Sequence, residues 1–187
     1  MNLKILLLGG SGTLGSKIVK SKIFSNLKNP SKKKLDILNK KNLEKYLIKH
    51  AIDLVIHCAA LARIKECETN KDKAKRINIT GTKNLVLSIL KIKKKYNRKI
   101  KLVFISTDAV YSDKKGNFKE TDKLAPYNFY GFTKMKGEKL VKILDEYMIL
   151  RTRFFDKNKI SFKYSARNIY TSALEVNKLV KYIHILI

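Results

Sequence analysis

Apolar residues fall into short unbroken runs, separated by longer stretches in which they recur every three to four positions. Leu3–Leu8 is the first run, and its continuity suits a central parallel strand buried on both faces. Ile52–His57 and Ile100–Ser106 repeat the pattern, and Tyr147–Arg151 is a shorter fourth strand. Between these runs, helical spacing predicts a helix from about Thr13 and another over Asn39–His50. In the second, Leu43, Tyr46 and Leu47 face inward and Asn39 is the N-cap. A long helix is predicted over Asp72–Lys95, with Ile77, Leu85, Val86 and Ile89 inward, and a further helix over Tyr127–Glu146. Asn26–Lys34, which contains Pro30, reads as loop with at most a short strand. Strands alternating with helices predict an α/β fold, a Rossmann-type doubly wound parallel sheet with right-handed crossovers.

Composition changes this picture little. The chain has 187 residues, enough for one domain and a fraction of another. Its formal net charge is +27, which raises the question of a nucleic-acid or acidic-membrane partner. Of the 42 basic residues 36 are lysines and 6 arginines, and the lysines are spread along the whole chain. Base readout and bidentate phosphate contact favour arginine, so no specific nucleic-acid partner is expected. A positive field still attracts an anionic nucleotide. No apolar run approaches the ~20 residues of a membrane span, and Met1–Leu8 reads as a buried strand, not a signal peptide. A cytoplasmic protein without membrane contact is the expectation. Cys58 and Cys67 form no disulfide framework and no metal motif, so no metal is expected, and Cys58 reads as a small core residue.

Two clusters carry chemistry. Gly9, Gly12 and Gly15 stand directly after a strand and before a helix. In that context Gly9 permits a tight turn, Gly12 lets backbone approach a pyrophosphate, and Gly15 lets helix and strand pack closely. The helix start at Thr13 and Leu14 then favours phosphate charge. Asp36 has the spacing of a ribose-binding acid, but a helix and then the Ile52–His57 strand follow it at once, which places it too late. Ser31, Lys32, Lys33 and Lys34 stand upstream of it with no acid among them, which suits a 2′-phosphate and points to NADP(H), with NAD(H) as the alternative. The second cluster is Tyr130 and Lys134, four apart on one helix face. A cation there is expected to lower the phenol pKa and make the tyrosine a proton donor and acceptor.

The order of further motifs resembles the extended short-chain dehydrogenase/reductases, and within them the dTDP-4-dehydrorhamnose reductase family. Lys34-Leu35-Asp36-Ile37 resembles a Leu-Asp-Ile signature, implying that Asp36 and Ile37 contact the adenine side. Val55-Ile56-His57-Cys58-Ala59-Ala60 resembles the third-strand end, implying that Ala59 and Ala60 lie under the cofactor. His57 departs from the family's usual Asn and is similar to the epimerase branch. Asn78-Ile79-Thr80-Gly81, Ser106-Thr107-Asp108 and Tyr130 to Lys134 continue the match, and Leu150-Arg151-Thr152-Arg153-Phe154 resembles an Arg-Thr-Ser-Trp element. The resemblance implies catalytic roles for Tyr130 as proton donor, Lys134 as holder of the nicotinamide ribose, Thr107 as a hydrogen-bond partner of the carbonyl, and Asn78 as organiser of backbone or water near Lys134. It implies reduction of a nucleotide-linked 4-keto sugar, as in dTDP-rhamnose synthesis, by a protein for which a homodimer is an allowed assembly. A nucleotide-sugar epimerase or dehydratase, or a non-catalytic nucleotide-binding protein, are the alternatives. It further implies a nucleotide-binding domain over 1–152 and a remnant of the substrate lobe over 153–187. There Ile169–Ala173 and Glu175–Val180 resemble a segment that returns to the main sheet, with an internal segment shortened and the tail missing.

Overall fold

The structure is a computed structural model that describes residues 3–112, 116–159 and 172–187. Five parallel strands form one sheet in the order β2-β1-β3-β4-β5. They are β1 (Ile5–Leu8), β2 (Leu27–Lys28), β3 (Leu54–His57), β4 (Lys101–Ser106) and β5 (Tyr147–Arg151). All residues of β1 and β3 are buried, which explains their unbroken apolar runs. β1 and β3 pair in register from Ile5 with Leu54 to Leu8 with His57. The chain leaves β1 towards β2 on one side and returns to β3 on the other, so the strand order reverses between β1 and β3. Ligands of open α/β sheets bind at such a point, beyond the carboxyl ends of the strands.

Alternate side chains of the strands feed two separate cores. Leu6, Leu8, Val55, Leu102 and Phe104 face α2 (Lys40–Lys49), α5 (Gly81–Tyr96) and α6 (Phe129–Val141). Ile5, Leu7, Leu54, Ile56, Val103 and Ile105 face α1 (Thr13–Ser21) and α7 (Val176–Leu186), the latter through Val176, Leu179, Val180 and Ile183. The C-terminal helix therefore packs on the main sheet beside α1. A two-residue parallel pair, β6 (Phe154–Phe155) with β7 (Leu174–Glu175), stands beside it. Of the segment resembling the family's return to the sheet, Ile169–Thr171 lie outside the described residues.

Two predicted helices differ from the observed ones. The long helix over Asp72–Lys95 is three pieces: α4 (Lys71–Ala74), a π-helical turn over Lys75–Thr80, and α5. A short α3 (Ile64–Thr69) precedes them. The widened turn inserts one residue and swings Asn78 into the core, where its amide is fully used, and apolar periodicity carries no trace of that. The helix predicted to run to Glu146 stops at Val141. Ile143 N–H and Leu144 N–H bond back to Leu140 and Val141 carbonyls in a tighter turn that drops Leu144 into the core. Among the described residues no helix is long and apolar enough to cross a membrane.

Candidate active site

Three of the sheet's helices begin with a side-chain cap. Asn39 Oδ1 accepts from Asn42 N–H at 3.0 Å, Asn128 Oδ1 from Gly131 N–H at 2.7 Å, and Glu175 from Asn177 and Lys178 N–H at 2.9 and 3.3 Å. α1 has none: its N-cap is Gly12. The first-turn N–H groups of Thr13 and Leu14 therefore lie at a helix start with no side chain of their own to bind them. Gly9 holds φ +89°, where a side chain is strained, and a Cβ on it would sit 2.5 Å from Ala59 N. A Cβ on Gly15 would sit 2.2 Å from Gly9 O, whereas one on Gly12 would meet nothing nearer than 3.4 Å. The turn is thus pressed onto Ala59 and α1, and open at Gly12, where a pyrophosphate would need room. These residues fit a dinucleotide.

The end of β2 adds a residue that the sequence did not single out. β2 ends at Lys28, and the side chain of the next residue, Asn29, lies against Gly10, close enough that a Cβ there would meet its Oδ1. Asp36 comes well after this strand end, as its position in the sequence implied. Nothing in periodicity singles out Asn29, because a two-residue strand has none. Ser31 and Lys32 are exposed in the turn beyond, where Ser31 O accepts from Lys34 and Leu35 N–H. Asp36 Oδ1 accepts from Leu38 N–H, and Ile37 is buried beneath Gly81. Ala59 and Ala60 are half-buried beside the glycine turn.

Tyr130 and Lys134 lie on α6, which packs against the end of β4 and the turn Asp108–Val110. Lys134 is almost wholly buried, with its Nζ 3.9 Å from the centre of the Phe104 ring. Burial lowers its pKa to about 8, against an opposing pull from Cys58 and Glu138. The phenol of Tyr130 is pushed up to about 12, first by burial, then by Cys67 and Asp108. This reverses the sequence expectation. In this state Lys134 spends its charge on an aromatic face and on the groups at the end of β3, and desolvation governs the tyrosine. Thr107 is buried where β4 ends, at the start of the turn on which α6 packs. Its hydroxyl donates to Asp108 Oδ1 at 3.1 Å and accepts from Ala109 N–H at 3.2 Å.

Asn78 is spoken for by protein. Its Oδ1 accepts from Leu61 N–H at 2.7 Å, and its Nδ2 donates to Leu61 O and to Thr133 Oγ at 3.0 and 2.9 Å. Thr133 Oγ in turn donates to Tyr130 O, so Asn78 ties the loop after β3 to the tyrosine's helix. His57 is buried with Nε2 3.1 Å from Thr82 Oγ1. Because the Thr82 hydroxyl donates to Asn78 O, Nε2 carries the proton and Nδ1 is a bare acceptor, which has no partner. Burial, then Lys134, lowers the His57 pKa to about 3, so the ring is neutral. Cys58 is half-buried and packs against the α1-side core, as expected of a small core residue, and burial raises its thiol to about 12.

One buried charged group has no counterpart in the sequence expectations. Glu138 is 1% exposed and accepts from Ser106 Oγ at 2.5 Å and from Arg151 Nη2 at 2.8 Å. Tyr130, Lys134 and Glu138 form one stripe at a spacing of four, which is the signal that would find it. A cavity of about 1460 Å³ begins at Asp108 and Arg153 and runs along β5 to α7, past Tyr111, Arg151, Tyr147 and Tyr182. Asp108, the hydrogen-bond partner of Thr107, is among its lining residues. Asp108 also pairs with Arg153 Nε at 3.0 Å.

The chain is similar to several known proteins. A probable low-salt glycan biosynthesis reductase of Haloferax volcanii is 31% identical over 135 residues, which is 71% of this chain and 40% of that protein. Methionine adenosyltransferase 2 subunit beta of Bos taurus is 26% identical over 149 residues, 75% of this chain and 43% of that protein. The crystal structure of dTDP-4-dehydrorhamnose reductase from Bacillus anthracis in complex with NADP superposes with a TM-score of 0.76 at 29% identity, covering 84% of this chain and 56% of that one. The chain thus spans about half the length of these relatives. The family described as the RmlD substrate binding domain matches residues 3–177, and the chain belongs to that family.

Proposed function

We propose that the protein takes part in NADP(H)-dependent reduction of a nucleotide-linked 4-keto sugar. The observation that carries the reading is that α6, with Tyr130 and Lys134, packs against the end of β4 and the turn after Thr107, while the uncapped glycine turn presses on Cys58 and Ala59 at the end of β3, in a family whose Bacillus anthracis relative holds NADP. The turn at Gly9–Gly15 binds the pyrophosphate by backbone N–H groups and helix charge. Asn29, Ser31 and Lys32 offer no carboxylate to a 2′-phosphate, which favours NADP(H) over NAD(H). Hydride to the carbonyl carbon is the chemistry the reduced nicotinamide supplies when bound. Tyr130 delivers a proton to the carbonyl oxygen, and Thr107 turns its hydroxyl from Asp108 to hold that oxygen. Lys134 holds the ribose and leaves the Phe104 face to do so, which brings its charge to the phenol. Residues 1–152 form the nucleotide-binding unit, and the 153–187 segment returns to it through α7.

A second reading has one observation in its favour. A relative named as a methionine adenosyltransferase subunit is 26% identical over 149 residues, and its name describes no sugar reduction. Under that reading the chain binds nucleotide without turning over a keto sugar. Purified protein supplied with NADPH and a panel of dTDP- and GDP-4-keto sugars separates the two. Oxidation of NADPH by one sugar of the panel is expected. Tight NADPH binding with none oxidised assigns the chain to the second reading.

A further inference from the structure

The buried carboxylate of Glu138 lies outside every role described so far. It sits on α6 one turn beyond Lys134, and all its bonds go to other elements. Oε1 accepts from Ser106 Oγ at 2.5 Å and from Arg151 Nε at 3.1 Å, and Oε2 accepts from Arg151 Nη2 at 2.8 Å. Ser106 is the last residue of β4 and immediately precedes Thr107. Arg151 ends β5, and its Nη1 donates to Tyr111 Oη at 2.7 Å and to Glu120 O at 2.9 Å. One carboxylate therefore joins the tyrosine's helix to the strand end that presents Thr107 and, through arginine, to the 111–120 segment. Arg151 is 11% and Glu138 1% exposed, so this is a buried pair with nearly every polar atom engaged. Such a pair gives geometric definition more surely than stability.

We propose that Glu138 is a positioning residue for the reaction. Its clamp on Ser106 and Arg151 sets α6 against the end of β4, so that Tyr130 and Thr107 meet on one oxygen. This rests on the reductase reading.

The test uses the whole chain and two readouts: NADPH affinity by fluorescence, and kcat and KM for an accepted keto sugar. E138Q is expected to lower kcat about 10- to 100-fold with KM nearly unchanged, as a displaced catalytic group does. NADPH affinity is expected to fall several-fold with it, because Lys134, the proposed ribose holder, lies on the same helix. E138Q/R151M leaves no unpaired buried guanidinium and regains melting temperature, yet recovers neither kcat nor NADPH affinity. If E138Q does not fold, S106A loosens the same carboxylate and is expected to lower kcat with KM unchanged. Recovery of both kcat and NADPH affinity in the double variant overturns the proposal, because the pair would then serve the fold alone. A parent that turns over no sugar defeats the reductase reading, while NADPH affinity still reports on the clamp.

Discussion

The glycine turn and the tyrosine–lysine helix are the two candidate sites, and they are prepared in opposite ways. The turn is finished before any ligand arrives. Its shape comes from backbone, with Gly9 pressed on Ala59, Gly15 under Gly9, and an uncapped helix start left over. The tyrosine–lysine helix is held by buried bonds but is not poised. Lys134 lies on Phe104, the Thr107 hydroxyl is turned to Asp108, and the Tyr130 phenol is pushed up to about 12. On the proposed function, the difference makes the cofactor part of the catalytic apparatus. Burial makes charge expensive on this helix, and a bound ribose and phosphate must supply the partners that protein alone does not.

The largest expected effect breaks the catalytic side alone. Tyr130→Phe keeps the ring and removes the proton, so turnover should fall about 100- to 10,000-fold while NADPH affinity stays within a few-fold of the parent. Equal loss of both would mean that Tyr130 serves the cofactor site instead. Next comes the turn. Asn29→Asp combined with Lys32→Ala places a carboxylate at the end of β2 and removes a cation. The NADPH-over-NADH affinity ratio should drop about tenfold or more, equivalent to ~1.4 kcal/mol, without change in the melting temperature. A ratio that stays put would move the 2′-phosphate site elsewhere.

Lys134→Met sharpens the contrast between function and stability. The folded pKa of Lys134, about 8, lies below the unfolded 10.5, so below pH 8 the fold carries a charge it disfavours. The substitution should therefore stabilise the apo protein at neutral pH by about 1–3 kcal/mol, raising its melting temperature by several degrees, while cofactor affinity and turnover both fall. A lower melting temperature would mean that the cation–π contact with Phe104 outweighs desolvation. The smallest effect is at His57. Its folded pKa, about 3, is depressed from 6.5, so stability is complete above pH 6.5 and declines as pH falls towards 3. His57→Asn should flatten that decline, read as melting temperature at successive pH values below 6.5.

The legible and illegible parts of the sequence follow the same division. The turn can be read because strand, glycines and helix are contiguous and each glycine has a steric reason. The sheet can be read because unbroken apolar runs need no context: Ile5–Leu8, Leu54–His57 and Lys101–Ser106 are where their apolar residues place them. Asn29 cannot, since β2 is two residues long and its meaning depends on Gly10 across the turn. The π-helical turn cannot either, because what holds Asn78 is Leu61 and Thr133, and the latter lies 55 residues away. The sign of the Tyr130 pKa shift escapes the sequence for a related reason. A spacing of four places the lysine on the same face, but rotamer and burial decide where its charge goes.

The claim that cofactor binding poises the catalytic helix is tested most directly by titrating Lys134 itself. In protein labelled with carbon-13 at the lysine ε-carbon, its signal is identified by its absence from Lys134→Met. Without nucleotide the midpoint should lie near 8. With NADP bound it should rise by about one unit or more, as ribose oxygens and phosphate charge stabilise the ammonium. A midpoint that is the same with and without NADP would contradict the account.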